Sequence, residues 1–199
     1  PNWIGVPPLH RGALAALVLL WLAGRTAVAL AGYLPMVAVA AIDAAFLPAV
    51  MAVLLPPLIA RKQWRNAIFV VPLTALTVTN LVLHFSVAGE LDVVPRDAFI
   101  VAIGLFALFI TVMGGRIIPS FTANALRARG EEPGLRNIAS LNAIAIAAVA
   151  VMIVVDAVAP LSLTGGAISL VAAVAVFARL SGWQGLRTRG EPLLWILHL

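Results

Sequence analysis

Long apolar stretches dominate this chain. Six of them follow one another, each about as long as the roughly 20 residues that a helix needs to cross a bilayer. They are continuous runs rich in alanine, leucine and valine, whereas the strands of a membrane barrel alternate apolar and polar residues over about ten positions. With 63% hydrophobic and 11% charged residues, the chain also lacks the charged surface of a soluble domain. The sequence therefore predicts an all-α protein, a polytopic transmembrane helical bundle.

Six full spans and the start of a seventh are predicted. The full spans cover residues 12–32, 33–60, 66–88, 97–118, 138–158 and 165–183. Residues 192–199 are apolar again, but at about 1.5 Å per residue they are too short to cross the membrane. We expect residues 1–199 to form a single transmembrane domain, and we expect that domain to be a fragment of a longer polytopic protein.

Basic residues concentrate in every second connection between the predicted spans. The connections after the second, fourth and sixth spans are basic, whereas the one after the third is net acidic and the one after the fifth has no cation. By the positive-inside rule the basic connections face the cytoplasm. This topology also accounts for the net charge of +5, so no nucleic-acid partner is predicted. The basic residues concerned are Arg61, Lys62, Arg65, Arg116, Arg127, Arg129, Arg136, Arg179, Arg187 and Arg189.

Several kinds of site are excluded by what the sequence lacks. Without cysteine, the chain forms no disulfide, no thiolate metal site and no cysteine nucleophile. It has no phosphate-binding P-loop, no dinucleotide-binding glycine motif and no His-Glu-x-x-His metalloprotease motif. The sequence therefore predicts no catalytic residue and leaves open whether the protein is an enzyme.

The third predicted span carries polar residues on one face. Thr77, Asn80 and His84 are separated by three and four residues, a spacing that aligns side chains on a helix. One interpretation makes His84 a haem or copper ligand, with Asn80 one turn away as the group that orients the imidazole. The other makes His84 an interfacial histidine that packs against, or bonds to, a neighbouring helix.

Two charged residues lie deep in the first two predicted spans. Arg25 and Asp43 fall at similar distances from the outer turn between these spans, so a helical hairpin brings them to nearly the same depth. We expect them to form a buried ion pair. Such a pair is either structural or functional, as a proton relay or as an anchor for a haem propionate.

The stretch "VMGGRIIPSFTAN" forms an unusual end to the fourth predicted span. Gly114 and Gly115 allow another helix or a flat ligand to approach closely, and Pro119 favours a change of direction. We expect a break at Pro119, followed by a short interfacial helix within residues 119–137. Arg116 either snorkels to the headgroups or binds an anion at a cofactor pocket that this corner closes.

A second histidine lies near the same side of the predicted membrane. His198 stands in the final apolar segment, beside the cytoplasmic boundary, and is either an interfacial residue or a metal ligand. Arg116 and Asn124 belong to that side as well and are candidate cofactor contacts. His84 falls in the opposite half of the membrane, so one haem iron is not expected to bind both histidines. His10, beside Arg11, is expected to be solvated.

Several stretches together resemble the NnrS family, haem- and copper-containing membrane proteins linked to nitric oxide metabolism. They are "PNWIGVPPL" at the start, "LWLAGR" ending at Arg25, "NLVLH" ending at His84, "MGGRIIPSFTANAL" from Met113, "GWQGLRT" from Gly182 and "PLLWILHL" from Pro192. The resemblance implies a multi-pass protein of the bacterial inner membrane, with haem and copper, that relieves nitrosative stress or acts in denitrification. Its matching polar positions are Arg25, Asn80, His84, Arg116, Asn124 and His198.

The resemblance also implies that the metal sites are incomplete here, because family members carry further histidine-rich motifs before and after this stretch. The sequence thus favours a haem–copper protein that handles nitric oxide, with His84 and His198 as metal ligands and Asn80, Arg116 and Asn124 as further cofactor contacts. The alternative is a transporter or permease whose substrate path passes the Arg25–Asp43 pair.

Overall fold

The computed structural model describes residues 10–62 and 69–198, and regular structure within these ranges is entirely helical. Arg65, residues 66–68 of the third predicted span, the opening stretch 1–9 and Leu199 lie outside the described residues. The helices are α1 (Arg11–Ala29), α2 (Met36–Ala44), α3 (Phe46–Ala60), α4 (Val70–Val87), α5 (Pro95–Ala128), α6 (Ala139–Val158), α7 (Leu163–Ser181) and α8 (Pro192–Trp195), with 3-10 turns at Gly185–Thr188 and Ile196–His198.

Six spanning segments are found among the described residues, in agreement with the sequence. Five are single helices, and the remaining one, the second span Met36–Ala60, combines α2 and α3. Large apolar side chains cover the outside of these helices, among them Leu19, Ile103 and Phe177. In water such a surface would drive aggregation, whereas in lipid it is the matching surface. The prediction of an all-α polytopic membrane protein is confirmed.

Helix α5 corrects the prediction of a corner at Pro119. The helix runs through this proline and is 34 residues long, or about 50 Å, well beyond the roughly 30 Å of the hydrocarbon core. No separate interfacial helix follows it within the described residues 129–138. Pro119 removes only the hydrogen bond to the carbonyl group of Gly115, and membrane helices tolerate such a loss.

The actual end of α5 is a glycine cap, eleven residues after Pro119. Gly130 has a φ of +75°, the left-handed conformation that glycine adopts without strain. Its N–H donates to the carbonyl of Arg127 at 3.0 Å, and the N–H of Glu131 donates to that of Leu126 at 2.9 Å. These two bonds form a Schellman motif, which satisfies carbonyl groups of the last turn.

The second spanning segment is divided at Ala45, between α2 and α3. Pro48 has no N–H to donate to the carbonyl of Ala44, so the regular ladder is interrupted one turn before the proline. The division falls two residues after Asp43, which lies in the last turn of α2.

The chain divides into two compact units, residues 1–102 and residues 103–199. In the first unit, α1 packs against α2 and α3, and α4 packs against the same two helices. At Gly24, α1 comes close to α2, because a Cβ atom placed there would lie 3.0 Å from the Cα atom of Asp43. The expectation of a single domain for residues 1–199 stays a prediction.

In the second unit, α6 and α7 form a closely packed hairpin. Ser162 starts α7 as its N-cap, since its hydroxyl oxygen accepts a hydrogen bond from the N–H of Gly165 at 3.0 Å. Small buried residues of α7, Ala172 and Ala175, allow the helices to come close. Ile153 of α6 fills the space beside Gly104, where a Cβ atom would lie 2.8 Å from its side chain.

In the second unit, charged contacts connect the segment after α5 with the segment after α7. Nη2 of Arg129 donates to Oε1 of Glu191 at 2.7 Å, and Arg187 forms an ion pair with Glu131. Nη1 of Arg129 also donates to the carbonyl of Arg187 at 3.1 Å. The segment after α5 is thereby attached to the segment after α7.

Candidate functional site

The first unit contains a polar cluster around the carboxylate of Asp43. Arg25 forms an ion pair with Oδ1 of this carboxylate. Oδ2 accepts a hydrogen bond from Nδ2 of Asn80 at 2.9 Å and lies 3.1 Å from Nε2 of His84. The Asp43 side chain is only 3% exposed, so these groups satisfy a carboxylate that has little access to solvent or lipid. We call these four residues the Asp43 cluster.

Three helices position the Asp43 cluster. Gly24 lets α1 approach α2 closely, and the next residue, Arg25, reaches the Asp43 carboxylate. On α4, Asn80 and His84 are four residues apart and share one face, as the sequence predicted. Helix packing and side-chain spacing thus converge on one acceptor group.

The partner of His84 differs from the one expected from the sequence. Asn80 does not orient the imidazole; it donates to the same carboxylate oxygen that contacts His84. Thr77, the third residue of the predicted face, donates to the carbonyl of Leu73 in its own helix at 2.8 Å. Asp43 is therefore the group that holds the ring.

The ion pair is buried on one side only. The side chain of Arg25 is 52% exposed and that of His84 is 12% exposed, against 3% for Asp43. An ionised carboxylate only accepts hydrogen bonds, so the hydrogen shared with a neutral His84 ring lies on Nε2. The Nδ1 atom of that ring then keeps a lone pair for a ligand.

His198 lies in a separate set of contacts in the second unit. Its Nε2 atom is 2.9 Å from the hydroxyl oxygen of Thr122, a fully buried residue of α5. The ring packs on Gly185, where a Cβ atom would lie 2.7 Å from Nδ1. Thr122 was not predicted as a partner.

Arg116 and Asn124 lie on an exposed side of α5, whereas Gly115 and Thr122 are buried. Asn124 accepts a hydrogen bond from Nη1 of Arg127 at 3.4 Å. The residue that fills the space beside Gly115 is Arg179, because a Cβ atom on Gly115 would overlap its Nη2 atom. The arginine that faces the protein interior beside Gly115 is thus Arg179 of α7, and not Arg116 of α5.

Arg179 was counted from the sequence among the residues of a basic connection, and this placement is wrong. The residue belongs to the last turn of α7 and is 4% exposed. Its Nη2 atom donates to the carbonyl of Thr111 at 2.8 Å, and its guanidinium lies 4.9 Å from the centre of the Trp183 ring. These contacts explain the glycine at position 115, which the approach of the guanidinium requires.

The described residues provide single imidazole ligands rather than a metal cluster. Within residues 10–62 and 69–198, no group of three or more histidine or acidic residues could hold a metal ion. These residues therefore do not fit a complete copper site. A haem iron can be held by a single imidazole, and His84, whose ring is held through Nε2 by Asp43, is the described residue that would supply it.

Six apolar spans with ionisable side chains among them define a multi-pass membrane protein whose environment is a lipid bilayer. The family model described as "NnrS protein" matches residues 1–199, the whole chain. The chain belongs to the NnrS family, as the resemblance in the sequence indicated. Membership in this family makes it a nitric-oxide-related membrane protein. Comparisons with curated proteins and with solved structures give no significant match.

Proposed function

We propose that this chain is part of a haem-carrying membrane protein that handles nitric oxide, in relief of nitrosative stress or in denitrification. The observation that carries the proposal is the contact between Asp43 and His84, 3.1 Å from Oδ2 to Nε2. Histidines that bind metals usually donate their other ring N–H to a carboxylate or carbonyl group, which fixes the ring. His84 has this arrangement within an apolar helix.

His84 would hold the haem iron through its remaining ring nitrogen, Nδ1. Asp43 fixes the ring from the opposite nitrogen, and Asn80 fixes the carboxylate in turn. Arg25 balances the charge of Asp43, and its half-exposed guanidinium remains available to a second anion such as a haem propionate. A bound haem would supply an iron that binds nitric oxide.

The other predicted cofactor residues stay proposals of the same kind. His198 is a second candidate ligand, although its Nε2 atom is already in contact with Thr122. Arg116 and Asn124, on the exposed side of α5, are proposed contacts for an anionic group of the cofactor. The family resemblance also implies copper. We propose no role for copper in this chain, because the described residues do not assemble a site for it.

We also propose the location and orientation of the protein. The location is the bacterial inner membrane, with the basic connections in the cytoplasm, and it is supported by the alternating charge of the connections. A transporter is the second candidate function. It is favoured by the presence of the charged pair Arg25–Asp43 in spanning helices, a feature of substrate pathways.

The optical spectrum of the purified full-length protein tests the proposed function. We expect a Soret band in the wild type and its loss in His84→Ala, with Asp43→Asn showing reduced haem content because the ring is less well fixed. His10→Ala is the matched control, since His10 is exposed at the start of α1. Unchanged haem in His84→Ala, at normal membrane level, contradicts the ligand assignment. A colourless protein that moves solute into liposomes favours the transporter.

A further inference from the structure

We propose that a small monovalent anion binds in the second unit, in the cavity beside Arg179. This cavity has a volume of about 160 Å³ and lies between α5, α7 and the final 3-10 turn. The inference does not depend on His84 as a haem ligand, because none of its residues belongs to the Asp43 cluster; one lining residue, His198, is also the second candidate ligand. The cavity is lined by Ile110, Thr111, Gly114, Ile118, Val176, Arg179, Leu180, Trp183, Leu197 and His198.

The charge of Arg179 has no anionic partner among the described residues. A guanidinium remains ionised in proteins, and Arg179 is 4% exposed. No carboxylate of the described residues lies within ion-pair distance of it. The Thr111 carbonyl, the Trp183 ring and the C-terminal end of α7 each offset part of the charge, but all three are dipoles or ring faces rather than anions. A buried charge of this kind calls for a counter-ion.

Two hydrogen-bond donors of the residues that line the cavity are unused. Nε of Arg179 and Nε1 of Trp183 are both buried, and neither has a hydrogen-bond partner in the described part of the chain. Both atoms are donors only, and both residues line the cavity. Two unused donors and a positive charge therefore belong to residues of the cavity wall. A water molecule can accept from such donors, but only an anion also balances the charge.

The volume of the cavity and its mostly apolar walls suit a small anion. Apart from Arg179, Trp183, Thr111 and His198, the lining residues are aliphatic or glycine. Interactions between charges are stronger next to such walls than in water. A volume of about 160 Å³ accommodates chloride or nitrate, given that a water molecule in the liquid occupies about 30 Å³. Gluconate serves as the reference anion, because the aliphatic walls offer few partners for its five hydroxyl groups.

The test is thermal unfolding of the purified full-length protein in detergent, with potassium gluconate replaced stepwise by chloride or nitrate at constant ionic strength. A ligand that binds only the folded state stabilises it in a saturable manner. We expect Tm to rise by about 3 °C or more as the site fills. Identical Tm values in gluconate, chloride and nitrate would overturn the proposal.

Variants locate the effect. Arg179→Gln should abolish the dependence of Tm on chloride and nitrate, and the exposed Arg189→Gln is the matched control that should retain it. Trp183→Phe keeps the guanidinium but removes one donor, so it should raise the anion concentration needed for half the effect about tenfold. If Arg179→Gln does not fold, Trp183→Phe decides the question. A wild-type response in either variant would place the anion elsewhere and refute the assignment.

Discussion

Replacing Arg25 with leucine tests the Asp43 cluster, because the change strands the more deeply buried member of the ion pair. Asp43 is 3% exposed, whereas Arg25 is 52% exposed. Breaking a buried pair from one side costs about 3–5 kcal/mol when the remaining charge stays unpaired. The carboxylate would still contact Asn80 and His84. We therefore expect the lower end of that range, about 3 kcal/mol, for Arg25→Leu.

Replacing the carboxylate as well should recover part of this loss. In the double variant, Arg25→Leu with Asp43→Asn, no stranded charge remains, and the cost falls to that of a missing hydrogen bond between neutral groups, about 1 kcal/mol. The double variant should thus be more stable than Arg25→Leu by about 2 kcal/mol. For a chain of 199 residues this difference corresponds to roughly 4–8 °C in Tm.

The assay is thermal unfolding in detergent, together with the yield of protein recovered from membranes. Arg96→Leu is the matched control, since Arg96 forms an exposed pair with Asp97 at 3.3 Å, and exposed pairs contribute only about 0–1 kcal/mol. The reasoning is refuted if the double variant is no more stable than Arg25→Leu. It is equally refuted if Arg96→Leu destabilises the protein as much as Arg25→Leu does.

Two further predictions concern topology and the close approach at Gly115. Reporter fusions should show the cytoplasm after Lys62, Ala128 and Arg187 and the outside after Asp92 and Ser162. A single fusion on the opposite side would contradict the six-span topology. Gly115→Ala should lower Tm by at least about 2 °C, because its Cβ atom would overlap the Arg179 guanidinium. Gly114→Ala should leave Tm nearly unchanged, since its Cβ atom meets only Cδ1 of Ile118 at 3.3 Å; equal effects in the two variants would contradict the packing.

Hydropathy predicted the spans well because a bilayer selects apolar residues without reference to their neighbours in the fold. The sixth span, predicted over residues 165–183, is observed as Leu163–Ser181. The error at Pro119 has a specific cause: the rule that proline ends a helix describes the loss of one hydrogen bond, and α5 continues despite that loss. The helix ends instead at the glycine cap of Gly130, which was not predicted.

The contacts of the polar residues were less predictable than their depth. Spacing placed Asn80 and His84 on one face, and hairpin geometry placed Arg25 near Asp43, but neither argument fixes the rotation of one helix against another. The meeting of both pairs at one carboxylate follows from packing at Gly24. Arg179 was missed for the same reason, since an arginine in the last turn of a helix can face either the headgroups or the protein interior.

The charged contacts between the segments after α5 and α7 have a consequence for biogenesis. Arg129 pairs with Glu191, and Arg187 pairs with Glu131. In both pairs, the two residues are more than 50 positions apart in the sequence. When α5 leaves the ribosome, the residues that will neutralise Arg129 and bind Glu131 have not been synthesised. The nascent segment and the mature protein therefore present different electrostatic surfaces, and a translocation machinery reads the former, before the tertiary ion pairs exist.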